Sequence, residues 1–271
     1  VVRLLNATLF TWGVRHDPEQ LRATSGLAPW FVAAAVVALV GGFVDPDLRP
    51  WVWLASLAID LTGTLVAART RWKVSPAHFA ERYGLIVIIA LGESVVAIGL
   101  GVRELERDGV FALSVLVAFA GVVALWWAYF DYTSAAAERA LARATPEARG
   151  TIARDVFTYF HFPIVLGIVF YAVAAEKTLA HPADPLSQAG RWALGLGVAF
   201  FLLGFVLARW RVVRRVAWER VAAGVAAIAA ALVLDDPDAL VTLALVLAIL
   251  AVALAVETVR LREVRASFRG A

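Results

Sequence analysis

Residues His78–Gly101 run HFAERYGLIVIIALGESVVAIGLG. A charged pair, Glu81 and Arg82, opens an apolar run that carries a second carboxylate, Glu93, in its middle. A helix needs about 20 residues to cross the hydrocarbon of a bilayer, and Tyr83 to Gly101 meets that length. Glu93 then falls near mid-depth, where a carboxylate costs at least about 2.5–3.5 kcal/mol on insertion scales. Such a group has to face protein or water, which makes it the first candidate for a functional site. Ala90, Ser94, Ala97 and Gly101 recur at i, i+4, i+7 and i+11, a small-residue seam suited to close helix packing. Glu93 lies within about 60° of that seam. Its carboxylate is therefore expected to point into a helix bundle.

The same residues, His78 to Gly99, resemble the signature of the bacterial low-temperature-requirement protein A family of multi-pass membrane proteins. The surrounding hydropathy pattern fits that family out to the C-terminus. The resemblance implies a polytopic inner-membrane protein, and it supplies no reaction.

Composition points the same way independently. Hydrophobic residues make up 62% and charged ones 17% of the chain, against about 45–50% and 25% in soluble domains. Mean hydropathy is +0.78. The expected fold class is all-α, a polytopic integral membrane bundle of about eight transmembrane helices forming one multi-pass domain over residues 1–271. With 0 cysteines there is no thiolate chemistry and no disulfide framework, and 4 histidines are little material for a metal site. No metal and no cofactor is expected. The pI near 9.6 comes from basic residues scattered between apolar spans, so no nucleic-acid partner is expected. The chain holds 0 methionines, position 1 included, and reads as a C-terminal portion lacking one or two native N-terminal spans.

Taken in order, Val1 to Trp12 reads as the tail of a helix, and Gly13 to Gly26 as a polar loop. Expected spans follow at 28–44, 50–68, 83–101, 109–132, 155–176, 190–208, 217–234 and 239–257. Pro50 suits the first turn of its helix, where a missing N–H is harmless. Trp126, Trp127, Tyr129 and Tyr132 suit the headgroup level. Thr133 to Arg154 is an Ala- and Arg-rich polar stretch with helical character, and the glycines of GLGVAFFLLGF (195–205) are spaced as packing contacts.

Charge tests this division. Of the 25 Lys and Arg residues, 20 fall in alternate connections on one side, including 69–82, 133–154, 209–220 and the tail, and 5 on the other. That bias supports eight spans with both ends cytoplasmic in a cell inner membrane.

Three membrane-embedded groups are candidates for ion or substrate binding: Asp60, Glu93 and His161. Asp60 sits mid-span before Thr62, Gly63 and Thr64, and with Glu93 it suggests a shared polar cavity that binds a proton or cation. The bland reading is a structural anchor. His161, just before Pro163, could relay protons because its ordinary pKa is near neutral. Its bland reading is a buried, hydrogen-bonded histidine. His78, Glu81, Arg82 and Asp131 form a candidate cytoplasmic entrance, with Arg82 and Glu93, 11 residues apart, nearly aligned on one face. An ordinary ion pair is the bland reading of the first three. Asp155 reads as a helix cap, and Glu176 and Glu257 as solvated span ends.

Walker A, HExxH and Gly-x-Ser-x-Gly patterns are absent. The chain is expected to be no enzyme. The leading reading is proton- or cation-coupled transport around Asp60 and Glu93. The alternatives are a non-catalytic structural or stress-adaptation membrane protein, and a lipid-modifying enzyme using Asp131, Asp155 and His161. The lipid bilayer is the one firm partner; a small ion or small-molecule substrate and a homo-oligomer stay open.

Overall fold

The computed structural model describes residues 2–67, 75–103, 105–233 and 237–269. Arg69, Arg71 and Lys73, three of the basic residues expected to punctuate a connection, lie outside the described residues. The chain is helical: α1 (Val2–Gly13), α2 (Pro18–Gly41), α3 (Arg49–Ala67), α4 (Pro76–Gly101), α5 (Gly109–Phe130), α6 (Thr133–Arg143) and α7 (Pro146–Ile152). A π-helical segment, Ala153–Tyr159, precedes α8 (His161–Ala180), α9 (Gln188–Val213), α10 (Trp218–Val233), α11 (Ala239–Arg260) and α12 (Arg262–Arg269). Among the described residues the only β pairing is an isolated bridge between Pro185 and Asp238.

Among the described residues, the eight expected spans overlap α2 to α5 and α8 to α11, the fifth opening on the π segment. Among the described residues, 6 helical stretches are long and apolar enough to cross a membrane. α3 and α10 fall outside that set. α10 has 16 residues, about 24 Å at the helical rise, short of a hydrocarbon layer of roughly 30 Å. α3 has 19 residues, with Arg49 at its first position and Asp60 beyond its middle.

Residues 13–26, read as a loop, are helical from Pro18 onward. Pro18 is preset for a first helical turn, and Asp17 accepts a hydrogen bond from the Gln20 N–H at 3.3 Å in the manner of an N-cap. Polar residues extend this helix below its apolar part.

The chain forms two compact units, residues 1–74 with 144–154, and residues 75–143 with 155–271. In the first, α2 packs on α3. A Cβ on Gly63 would stand 2.5 Å from that of Trp30, so the backbones come close, and Ser56 donates to the Ala34 carbonyl at 2.8 Å.

In the second unit α8 packs on α9 through glycines. A Cβ on Gly167 would meet the Gly197 carbonyl oxygen and the Phe201 nitrogen, each at 2.5 Å. Gly204 lies as closely against the Phe160 carbonyl, and Gly195 against Ile228 of α10. The 195–205 glycines are packing contacts, as their spacing implies. Tyr171 reaches from α8 to donate to the Ala118 carbonyl of α5 at 2.5 Å. Arg191, at the start of α9, donates to the Ala231 and Leu232 carbonyls at 2.7 and 2.8 Å. It satisfies the open carbonyl end of α10.

Candidate functional site

The end of α5 reads Tyr129-Phe130-Asp131-Tyr132-Thr133 as it passes into α6. Four of these side chains each engage a different helix of the second unit. The Tyr129 hydroxyl lies 2.8 Å from His161 Nε2 on α8. Asp131 is ion-paired with Arg265 on α12, both side chains being 6% exposed. Tyr132 donates to Glu257 Oε1 on α11 at 3.3 Å. Thr133 Oγ1 accepts from Arg220 Nη2 on α10 at 3.5 Å and donates to the Ala128 carbonyl at 3.1 Å.

Arg220 and Glu257 are the centre of this network. Arg220 reaches one carboxylate oxygen through Nε at 3.0 Å and Nη2 at 2.8 Å. Its guanidinium also lies 4.4 Å from the centroid of the Phe205 ring, a favourable cation–π placement. Glu257 is 2% exposed. It was read as a solvated span end, and the structure corrects that reading. An acid near the end of α11 thus meets a base at the start of α10, both buried.

His161 is buried and boxed by three rings. Phe157 stacks on it at 5.5 Å, and Tyr83 and Tyr129 lie at 4.9 and 5.6 Å. Its Nδ1 lies 2.9 Å from the Val156 carbonyl. A carbonyl only accepts, so in the neutral ring Nδ1 carries the proton and Nε2 accepts from the Tyr129 hydroxyl. The Tyr83 hydroxyl is tied to Thr158 Oγ1 at 2.8 Å. The π segment underlies this arrangement: Phe160 N–H bonds back to the Asp155 carbonyl at 3.0 Å. Pro163 has no N–H to offer Tyr159 and its ring crowds that carbonyl, and the widened turn just upstream accommodates it.

Asp155 is not a helix cap. It sits inside the π segment and accepts from Arg211 Nε at 2.7 Å. Glu219 likewise accepts from Arg209 at 3.3 Å, with Arg260 at 3.8 Å.

Glu93 departs from expectation. The seam of Ala90, Ser94 and Gly101 is buried, as the small-residue spacing implies. Glu93, beside it, is exposed among Ile89, Val95 and Val96, and among the described residues its side chain has no partner. The seam is narrow: a single position's turn away, α4 already shows its apolar outer face. Arg82 is exposed as well, and His78 and Glu81 form an exposed i,i+3 pair at 4.0 Å. Asp60, in the first unit, is half-buried and engaged in a polar interaction. His161 lies about 15 Å along α4 from Glu93, measured from its neighbour Tyr83, so the structure does not bring those two together. Among the described residues no three His, Asp or Glu side chains gather to hold a metal ion.

Sequence reasoning passed over Arg220 and Arg265 and gave Glu257, Tyr83 and Tyr129 no part in a site. A signal existed for Arg220 with Glu257. α10 and α11 are joined by a short connection, so the start of one and the end of the other share a depth.

The model of the bacterial low temperature requirement A protein matches residues 1–254. The chain belongs to that family. An uncharacterized protein of Rhizobium meliloti (strain 1021) is 34% identical over 179 residues, which is 62% of this chain and 43% of that protein. The chain thus spans less than half the length of this relative. No solved structure matches. Family membership and the apolar helices make the chain a multi-pass, low-temperature-requirement-A-like membrane protein.

Proposed function

We propose that the chain is a proton- or cation-coupled transport protein rather than an enzyme, with Glu93 as its ion-binding carboxylate. The observation that carries the proposal is the bare side chain of Glu93 in the apolar middle of α4. A charge at that depth is retained against a steep insertion cost and is a functional group by default. Asp60 has the same role within the first unit, in α3. The inner membrane, with both ends of the chain cytoplasmic, is the location that the charge bias supports.

A second reading, a non-catalytic structural membrane protein, draws on the Arg220–Glu257 network, which is ion-paired and closely packed. The lipid-modifying alternative is less well supported. Asp131 and Asp155 are each held by an arginine, and His161 by Tyr129.

Proton and monovalent-cation flux in proteoliposomes of the full-length protein tests the proposal against a Glu93→Gln variant. Flux in the parent that vanishes in the variant is the expected result. Silence from both, across several cations, overturns it and leaves the structural reading.

A further inference from the structure

The turn between α9 and α10 carries five arginines within twelve residues, at 209, 211, 214, 215 and 220. Three of them are already neutralised. Arg209 is taken by Glu219, Arg211 by Asp155 and Arg220 by Glu257. Arg214 and Arg215 are exposed, and among the described residues no carboxylate pairs with them. The two surplus charges sit between two outward-facing tryptophans, Trp210 at 45% and Trp218 at 70% exposure. The Arg214 guanidinium lies 5.2 Å from the Trp210 ring centroid, which holds it at a set height on the surface.

Backbone geometry adds an independent observation. Arg214 ends α9 in the left-handed region, with φ 55° and ψ 29°. Helices that end this way usually place glycine there, because a Cβ is strained in that conformation. Arg214 is the one positive-φ residue other than glycine among the described residues. An L-residue carries strain there that glycine would not.

Exposed indoles belong at the headgroup level of a membrane. Guanidinium groups there meet phosphate, which they bind through paired N–H donors. We propose that Trp210, Arg214, Arg215 and Trp218 form a binding site for an anionic phospholipid, with the lipid phosphate on the two arginines and the indoles against the glycerol and upper chains. The complementarity commits the surface to a lipid: a soluble anion would use the arginines and leave both indoles bare.

The test is lipid binding by the full chain in detergent, read by native mass spectrometry during titration with phosphatidylglycerol and with phosphatidylcholine of the same acyl chains. Each basic residue near an anionic surface is worth about fivefold in affinity. Arg214→Gln/Arg215→Gln is expected to weaken phosphatidylglycerol binding by about twentyfold and to leave phosphatidylcholine unchanged. Arg214→Lys/Arg215→Lys, which keeps the charge but not the paired donors, should bind phosphatidylglycerol more tightly than the glutamine variant and less tightly than the parent, and shows that the loss is not misfolding. Arg103→Gln/Arg107→Gln, the same loss of charge elsewhere on the chain, should bind as the parent does. Equal affinity of the parent for both lipids overturns the proposal. So does an equal loss in the Arg103/Arg107 control, or displacement of the lipid by excess inorganic phosphate.

Discussion

Arg220 at the start of α10 places both Nε and Nη2 on one oxygen of Glu257 near the end of α11, at 3.0 and 2.8 Å. The two side chains are 4% and 2% exposed. Charges so far from solvent persist only because each has the other, and removing one partner costs about 3–5 kcal/mol. Arg220→Ala and Glu257→Ala should each lower the thermal midpoint of the purified protein sharply. The double variant should lose less than the two single losses together, since it leaves no orphaned charge. Strict additivity in that cycle would mean that the pair is not coupled.

The α8–α9 contact makes a second expectation. A methyl group on Gly167 has to displace the backbone of Gly197 and Phe201, not a flexible side-chain end. Overpacking of this kind costs about 1–3 kcal/mol. Gly167→Ala should therefore destabilise the protein, whereas Gly92→Ala, with nothing within 4 Å of the added methyl, should not. Comparison of denaturation midpoints in one detergent decides it.

Much of the bundle was legible because a membrane imposes length and apolarity on every span. Hydropathy placed helices where the described residues have them, six of these stretches being long and apolar enough to cross a membrane. Partner choice was less legible. Glu93 was expected to point inward because it neighbours the Ala90–Ser94 seam, yet α4 buries so narrow a stripe that one position decides the facing. Glu257 was read as solvated because it ends its span. What buries it is Arg220, and that pairing emerges only when antiparallel helices are set side by side. Asp155 resembled a cap because the helix was taken to begin there, while the chain is in fact already helical through the π segment. His161 was identified as a candidate, but its Tyr129 partner lies 32 residues away and no local spacing links them.

That His161–Tyr129 contact has its own consequence. Tyr129→Phe removes the donor to Nε2 and leaves the ring nitrogen buried without a partner, at a cost of about 1–3 kcal/mol. Nδ1 stays anchored on Val156. Nitrogen NMR of labelled histidine should report the Nδ1–H tautomer for the neutral ring in the parent. An Nε2–H tautomer would contradict the hydrogen-bond assignment.

Glu93 should behave in the opposite way to Glu257. With no partner among the described residues, Glu93→Gln removes no protein contact, and its effect on stability should stay within about 0.5 kcal/mol. A loss of flux in this variant could then be read as chemistry and not as misfolding. A drop in midpoint of the size expected for Glu257→Ala would show that Glu93 is paired after all, and would weaken its assignment as an ion site.

Arg214 sets stability against recognition. Its left-handed backbone costs an L-residue about 1–2 kcal/mol, a strain that glycine does not carry, although glycine loses more freedom on folding. Arg214→Gly should thus stabilise the protein by about 0.5–1 kcal/mol, a rise in thermal midpoint measured without added lipid. The same substitution removes one of the two unpaired guanidinium groups and should weaken phosphatidylglycerol binding. A gain in stability together with a loss of lipid affinity would show that the arginine is kept for the membrane. If the midpoint rose and the affinity held, the left-handed turn would be mere strain and the lipid site would lose half of its basis.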